Sequence, residues 1–182
     1  PDDWSEVLEF LPDRKPARVI GLSVGYRIPA QIMELANKVM AAATPGLRIP
    51  DSVRVGDIGP RIIRAESLID SVVDEVRALS LDLASGSVAV VAPDDLCDQV
   101  SEALTQAGLE HGRAASTGLD QALTVVPVSV VKGLELDAVV VVEPSRIVAA
   151  QEHGMRALYV ALTRSTQRLS IVHHDELPEP LR

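Results

Sequence analysis

The chain has 182 residues and a mass of 19.4 kDa, the size of one ordinary domain. Hydrophobic residues make up 47% and charged residues 24%, so a core can form and disorder over most of the length is excluded. The formal net charge of -9 lies between Glu66 and Glu110, where ten acidic residues face one basic residue, Arg77. Such a surface repels phosphates. We expect a solvated helical surface there, with docking of a basic partner as the alternative.

The first residues and the single cysteine indicate the setting of the chain. Residues 1–4 (PDDW) are acidic, include no initiator Met and precede no apolar run, so we expect a fragment of a longer protein and no signal peptide. No stretch approaches the ~20 apolar residues that span a bilayer, so no membrane partner is expected. Cys97 is the only cysteine, which excludes an internal disulfide and predicts a structural thiol in a reducing, cytoplasmic setting.

Apolar periodicity and turn residues in the first half of the chain predict alternating strands and helices. Residues 18–22 form a short apolar run that predicts a strand, and apolar positions at helical spacing predict a helix over 29–42. Residues 48–60 contain two prolines and two glycines and predict a loop with at most short extended pieces. Residues 61–64 predict a strand, and 68–83 predict an amphipathic helix with its acidic residues facing away from the core.

The second half continues this alternation and ends in a short tail. The predicted elements are a strand at 87–92, a helix from Pro93 to Gly108, strands at 123–131 and 138–142, a helix at 155–165 and a strand at 168–172. Strands that alternate with helices form parallel sheets covered on both faces. We therefore predict an α/β domain over residues 1–175, with three α/β/α layers and a mostly parallel sheet, and a loose tail at 176–182.

Several common site signatures are absent from the sequence. The three lysines lie outside any G-x-x-x-x-G-K-[ST] loop, and neither G-x-G-x-x-G nor G-x-S-x-G occurs. His173 and His174 end a predicted strand, where neighbours point to opposite faces, so no metal site is expected. Open α/β sheets bind ligands at the carboxyl ends of strands, and we expect three polar clusters there, at 25–27, 132–135 and 163–164.

Three segments in this order resemble the later motifs of the UvrD/Rep-type superfamily I helicases. Residues 23–27 (SVGYR), followed by a helix, are similar to motif IV. Residues 131–139 (VKGLELDAV) resemble motif V, and 157–165 (ALYVALTRS) resemble motif VI. The resemblance extends over most of the chain, from Trp4 to Val172. It is closest to the HelD-like branch, whose members act on bacterial RNA polymerase.

The resemblance implies the second RecA-like domain of a motor, a P-loop NTPase-type fold that lacks its own P-loop. A missing N-terminal RecA-like domain would carry the phosphate-binding loop and the Mg ligands. ATP with Mg would occupy the cleft between the two domains. The full-length protein would then be an ATP-dependent helicase or ATPase, whereas the isolated chain would be inactive.

The resemblance also implies roles for five residues. Tyr26 would stack on adenine, which needs only a flat aromatic face. Arg27 and Arg164 would reach the γ-phosphate as arginine fingers, a task that suits a permanently charged, bidentate guanidinium. Glu135 would accept a hydrogen bond from a ribose hydroxyl, and Gly133 would leave room for close approach.

The loop ahead of motif V departs from the pattern T-x-H-x-x-KGLE of the family's DNA helicases. Pro127 and Ser129 stand at the Thr and His positions, which face the single strand. Proline has no backbone donor, and serine cannot stack on a base. The departure weakens the prediction of DNA contact and of duplex unwinding. Lys132, which would orient the loop or touch a phosphate, and Ser129 remain candidates for contact with a polymer.

Three functions compete on these observations. The first is half of an ATP-driven motor that acts on DNA or, in the HelD-like alternative, remodels RNA polymerase without unwinding duplexes. The second is a non-catalytic docking module that uses the acidic segment, against which the intact Arg27 and Arg164 argue. The third is an autonomous small-molecule enzyme, for which the sequence offers no nucleophile, base or phosphate cradle. We predict the first.

Overall fold

A computed structural model describes residues 24–47, 49–114, 121–150 and 152–182, where strands and helices alternate along the chain. The strands are β1 (Val24–Gly25), β2 (Asp51–Ser52), β3 (Arg61–Arg64), β4 (Val88–Ala92), β5 (Gly112–Arg113), β6 (Leu123–Pro127), β7 (Leu136–Val142) and β8 (Ser165–His173). The α-helices are α1 (Ala30–Ala43), α2 (Leu68–Leu83), α3 (Cys97–Gln106), α4 (Pro144–Ala149) and α5 (Gly154–Leu162). Short 3₁₀ turns occupy Asp94–Leu96, Val128–Val130 and Glu179–Leu181. The strand predicted at 18–22 and Ser23 of the motif IV-like segment lie outside the described residues.

Six strands form one sheet in the order β3-β8-β7-β4-β6-β5, and every neighbouring pair is parallel. β1 and β2 form a separate parallel pair. The central strands β4 and β7 consist largely of valine and alanine, and β4 is buried along its whole length. Strands buried on both faces are near-continuous apolar runs of this kind. The predicted mostly parallel sheet is confirmed.

Helices cover both faces of this sheet. Alternate residues of β4 point to opposite faces, so Ala89 and Val91 pack in one apolar cluster, and Val88 and Val90 pack in the other. The first cluster includes residues of α1, α4 and α5, whereas the second includes residues of α2 and α3. The predicted three-layer α/β/α class is therefore confirmed. In the part of the chain that the structure describes, no helix is long and apolar enough to cross a membrane.

Two predicted boundaries are wrong around the motif V-like and motif VI-like segments. The strand predicted at 123–131 ends at Pro127, and a 3₁₀ turn follows. Val128 and Val131 are buried three residues apart while Val130 is 44% exposed, a helical rather than a strand pattern. The helix predicted at 155–165 ends at Leu162, because pairing with β7 draws Ser165 into β8.

The sequence pattern missed α4 and β5 and misjudged the end of the chain. α4 is only six residues long, and β5 only two, too short for a visible period. The tail, predicted to be loose, contains a 3₁₀ turn whose Leu181 is only 3% exposed. Leu181 belongs to the same apolar cluster as α1, with Leu177 packed against it. Burial of these two leucines holds the tail on the domain.

Four of the ten acidic residues in the segment 66–110 pair with arginines from outside that segment. Nine of its ten acidic residues are exposed, as predicted for a solvated surface, but Glu75 is only 4% exposed. The Glu75 carboxylate accepts hydrogen bonds from Ser170 at 2.6 Å and from Arg61 at 3.1 Å. Further ion pairs join the acidic residues to distant guanidinium groups, namely Asp82 with Arg168, Asp95 with Arg146 and Asp98 with Arg113.

Candidate functional site

Two of the predicted polar clusters reach the amino ends of strands, not the carboxyl ends where we expected them. Glu135 immediately precedes β7, Arg164 immediately precedes β8, and their neighbours Leu136 and Ser165 are register partners. β6 and β7 both run parallel to β4, so residues 128–135 must cross from the carboxyl edge of the sheet to its amino edge. That crossing carries Glu135 away from the predicted edge and places it beside Arg164.

Arg27 reaches the same place from the loop between β1 and α1. Its Nη1 lies 2.7 Å from Oε1 of Glu135, and the two side chains are 60% and 56% exposed. An ion pair this exposed contributes only about 0–1 kcal/mol, since water screens it and both side chains lose freedom. The structure thus brings together the predicted Arg27 and Glu135, which lie far apart in sequence.

Arg164 is held more firmly than Arg27. Its Nε donates to the Val160 carbonyl at 3.0 Å, Nη1 to the Leu134 carbonyl at 3.3 Å and Nη2 to Oγ1 of Thr163 at 3.3 Å. Partial burial lowers the pKa of the Arg164 guanidinium, and the positive charge of Arg27 adds to this, while Glu135 opposes it. The guanidinium remains charged, because arginine is not deprotonated in proteins.

Tyr26 and Gly133 flank these charged groups in sequence. Tyr26 is 74% exposed, so its ring is open to a ligand. Gly133 has φ +89, and a Cβ added there would meet no atom within 4 Å. Any other residue would therefore be strained by the backbone conformation and not by a lack of space. The open space agrees with the expectation that a ligand can approach Gly133 closely.

Ser129 lies at the opposite, carboxyl edge of the sheet, so the structure does not bring it to Glu135. Its hydroxyl donates to Oδ2 of Asp94 at 2.6 Å, and its backbone N–H donates to Oδ1 of the same carboxylate at 3.4 Å. Both donors that could bind a phosphate are therefore engaged by a negative charge. Lys132 and Ser129 line one surface pocket of about 230 Å³, together with His153 and Arg156.

Sequence reasoning missed the residues that hold the loop of Arg27. Arg54 donates from Nη1 to the Arg27 carbonyl at 2.6 Å, and its own carbonyl accepts the N–H of Ala30 at 2.6 Å. Ser52 Oγ donates to the Gly25 carbonyl at 3.3 Å. Both residues lie in the segment 48–60, for which the sequence predicts a loop with at most short extended pieces. No motif marks them, because they act on backbone carbonyls through tertiary contacts.

Neither a metal cluster nor a reactive thiol accompanies this site in the described ranges. Residues 24–47, 49–114, 121–150 and 152–182 contain no group of three or more His, Cys, Asp or Glu that could hold a metal ion. Burial raises the pKa of the Cys97 thiol to about 11, with Asp94 adding to the effect. The thiol is therefore protonated and inert near neutral pH, as the sequence predicts for a structural cysteine.

The segment that carries Glu135 and Arg164 matches a known family. Residues 122–172 match the family model of the UvrD-like helicase C-terminal domain. This segment resembles that family. It extends from β6 almost to the end of β8, so the motif V-like and motif VI-like runs of the UvrD-like segment lie inside the match, whereas Tyr26 and Arg27 precede it. The predicted resemblance to UvrD-type helicases is confirmed, while assignment to the HelD-like branch stays a prediction.

Solved structures extend the likeness to most of the chain at the level of fold. The C-terminal domain of a possible DNA helicase from Lactobacillus plantarum WCFS1 superposes with a TM-score of 0.65 at 23% identity, over 86% of this chain and 92% of that one. The helicase domain of Pyrococcus furiosus Hef matches 58% of this chain and 24% of its own, with a TM-score of 0.42 and 16% identity, and we draw no argument from it. No curated protein sequence matches the chain.

Proposed function

We propose that this chain is the second RecA-like domain of a superfamily I helicase-like motor ATPase. A companion N-terminal RecA-like domain would bind the triphosphate, and this domain would complete the site when the cleft between them closes. The observation that supports the proposal is the convergence of Arg27, Glu135 and Arg164 at one edge of the sheet. Two guanidinium groups and one carboxylate leave a net positive charge there, which suits a polyanionic ligand.

Each residue has a distinct task in this proposal. Arg164 and Arg27 stabilise the charge that develops on the γ-phosphoryl group while water attacks it, which is how arginine fingers act. Tyr26 stacks on adenine, and Glu135 accepts a hydrogen bond from the ribose. The acidic ligands of Mg and the base that orients the water belong to the companion domain. This chain contributes electrostatic stabilisation and couples it to domain closure.

The partner on which the motor acts is either nucleic acid or RNA polymerase. A helicase-type domain suggests nucleic acid, but Asp94 engages both donors of Ser129, and Asp95 pairs with Arg146 at the same edge. A nucleic-acid phosphate would face two carboxylates at these positions, which is unfavourable, whereas Lys132 and Arg156 line the same pocket as Ser129. The carboxylates weaken the case for nucleic acid at this edge, and remodelling of RNA polymerase without duplex unwinding is the alternative.

We expect the purified 182-residue chain to release no phosphate from ATP above the buffer rate, because it offers no phosphate cradle. Phosphate release by the chain and by the complete protein checks this. The matched control is Arg164→Ala in the same chain, since activity from a contaminating ATPase would be unaffected by the substitution. Turnover by the chain that disappears in Arg164→Ala would make it an autonomous ATPase and overturn the division of labour proposed above.

We expect Tyr26→Ala in the complete protein to raise the KM for ATP more than it lowers kcat. Stacking of a base on an aromatic ring contributes about 1–3 kcal/mol, which corresponds to a rise in KM of roughly 5- to 150-fold. Tyr26→Phe keeps the ring and should retain the wild-type KM. A fall in kcat at unchanged KM would remove Tyr26 from the stacking role.

A further inference from the structure

One carboxylate faces two partners in the proposed site. Glu135 is paired with Arg27 through Oε1 at 2.7 Å, yet the proposed function gives the same side chain to the ribose. Arg27 likewise has two partners, because the proposed function sends its guanidinium to the γ-phosphate. The inference drawn here rests on that proposed function.

Arg27 cannot serve Glu135 and the γ-phosphate together when ATP is bound. The ribose hydroxyls and the γ-phosphate stand at opposite ends of the nucleotide, with two phosphoryl groups between them. A guanidinium is a single planar fork, and its donors lie too close together to bridge that span. If Glu135 is at the ribose, a guanidinium in contact with Glu135 is away from the γ-phosphate, so Arg27 must leave Glu135 before it can act.

The surroundings allow the Arg27 side chain to move while its backbone stays in place. Arg54 and Ser52 hold the backbone carbonyls of Arg27 and Gly25, respectively, whereas the Arg27 side chain is 60% exposed. An ion pair between side chains this exposed is weak and easily exchanged. Arg164 differs, since three hydrogen bonds hold its guanidinium. The Arg164 guanidinium is therefore held by its own hydrogen bonds, whereas the Arg27 guanidinium is held by the Glu135 carboxylate.

We propose that Glu135 is a specificity-determining and positioning residue that makes the release of Arg27 depend on the sugar of the nucleotide. Ribose hydroxyls that donate to Glu135 draw the carboxylate away from Arg27, and the guanidinium then turns to the γ-phosphate. A nucleoside triphosphate without these hydroxyls leaves Glu135 free to retain Arg27, so the phosphates are bound but one finger is withheld. The domain thereby selects nucleoside triphosphates whose sugar carries a hydroxyl donor, through kcat as well as through KM.

The test compares saturating ATP with saturating 2′,3′-dideoxyadenosine triphosphate in the complete protein. An exposed ion pair can bias a population by a factor of up to about five, so kcat with the dideoxy nucleotide should be about two- to fivefold lower at low salt. The difference should shrink when salt is raised from about 0.05 M to about 0.5 M, because screening weakens the pair. Equal kcat values for the two nucleotides in the wild-type protein would overturn the proposal.

Glu135→Gln provides the decisive variant. Glutamine still accepts a hydrogen bond from a sugar hydroxyl but carries no charge to retain Arg27, so the kcat ratio of the two nucleotides should approach one. Glu102→Gln, at an exposed position of α3, is the matched loss of charge and should keep the wild-type ratio. A ratio that persists in Glu135→Gln would assign the sugar effect to another group and overturn the proposal.

The Arg27→Ala variant distinguishes failure of the inference about Glu135 from failure of the proposed function. Loss of turnover in Arg27→Ala, together with equal kcat values for the two sugars in the wild type, would retain the proposed function and reject only the role of Glu135. Full turnover in Arg27→Ala would remove Arg27 from the proposed function itself. A melting curve for Glu135→Gln that matches the wild type shows that the ratio is read from a folded protein.

Discussion

Arg164→Ala in the complete protein should lower ATP turnover by about 10³-fold or more, the effect that arginine fingers have on phosphoryl transfer. The geometry explains why the loss should be large. Three hydrogen bonds to Val160, Leu134 and Thr163 hold the guanidinium in place, and a charge that is already positioned needs little reorganisation at the moment of reaction. The Leu134 contact also ties α5 to the loop that carries Glu135.

The measurement is steady-state phosphate release with KM and kcat determined separately. An interaction made only in the transition state lowers kcat and kcat/KM together, so KM should change little. Arg164→Lys is the matched control, since it keeps the charge but loses the planar fork and cannot reproduce the three contacts. It should recover only a small part of the loss. An Arg164→Ala protein as active as the wild type would favour the docking-module function instead.

The same experiment, run with and without single-stranded DNA, distinguishes nucleic acid from RNA polymerase as the partner of the motor. Turnover of the wild-type protein that rises with DNA would indicate a nucleic-acid motor in spite of the Asp94–Ser129 contact. If ATP turnover does not change when DNA is added, the same measurement should be made with RNA polymerase.

Gly154→Ala should be the most destabilising of the conservative changes considered for this chain. Gly154 is buried at the start of α5, where an added Cβ would lie 2.5 Å from the carbonyl carbon and 2.6 Å from the Cα of Val148, and closer still to its oxygen. These atoms are backbone atoms of α4 and cannot swing aside. We expect a loss of about 3 kcal/mol in the free energy of unfolding, at the upper end of ordinary overpacking.

Thermal unfolding of the 182-residue chain measures this loss without reference to activity. A loss of about 3 kcal/mol should lower Tm by roughly 6–12 °C in a chain of this size. Gly59→Ala is the matched control, since a Cβ there would meet no atom within 4 Å and its φ is not in the left-handed region. It should leave Tm unchanged. Equal melting temperatures for the two variants would show that α4 and α5 do not approach as closely as described.

The fold was predictable because its local signals agree with each other. The valine-rich runs predicted at 87–92 and 138–142, in a chain where strands alternate with amphipathic helices, allow few arrangements besides a covered parallel sheet. The predicted ends of helices and strands were wrong where contact with another element determines the conformation. From the sequence, Ser165 can continue the predicted helix, but pairing with Leu136 places it in a strand. Leu181 looks like part of a free tail until it packs with α1.

The sequence was enough to name candidate site residues but not to place them in the fold. The motif V-like and motif VI-like runs identify Lys132, Gly133, Glu135 and Arg164 from local sequence alone. The carboxyl-edge rule then misplaced Glu135 and Arg164, because that rule describes ligands held by a single open sheet. Here the chain crosses the sheet between Ser129 and Glu135. Ser129 therefore lies at the carboxyl edge, and Glu135 lies at the amino edge.

Residue type, hydrophobic period and short-range spacing were enough to predict the fold class, the resemblance of the segment 122–172 to a helicase family and a set of candidate residues. The sequence did not predict that Arg27 contacts Glu135, that Asp94 accepts from both donors of Ser129, or that four acidic residues of the segment 66–110 pair with arginines outside it. The physical reason is that ion pairs and hydrogen bonds form between side chains brought together by the packing of the sheet, and no local pattern records which distant partner a charge will find.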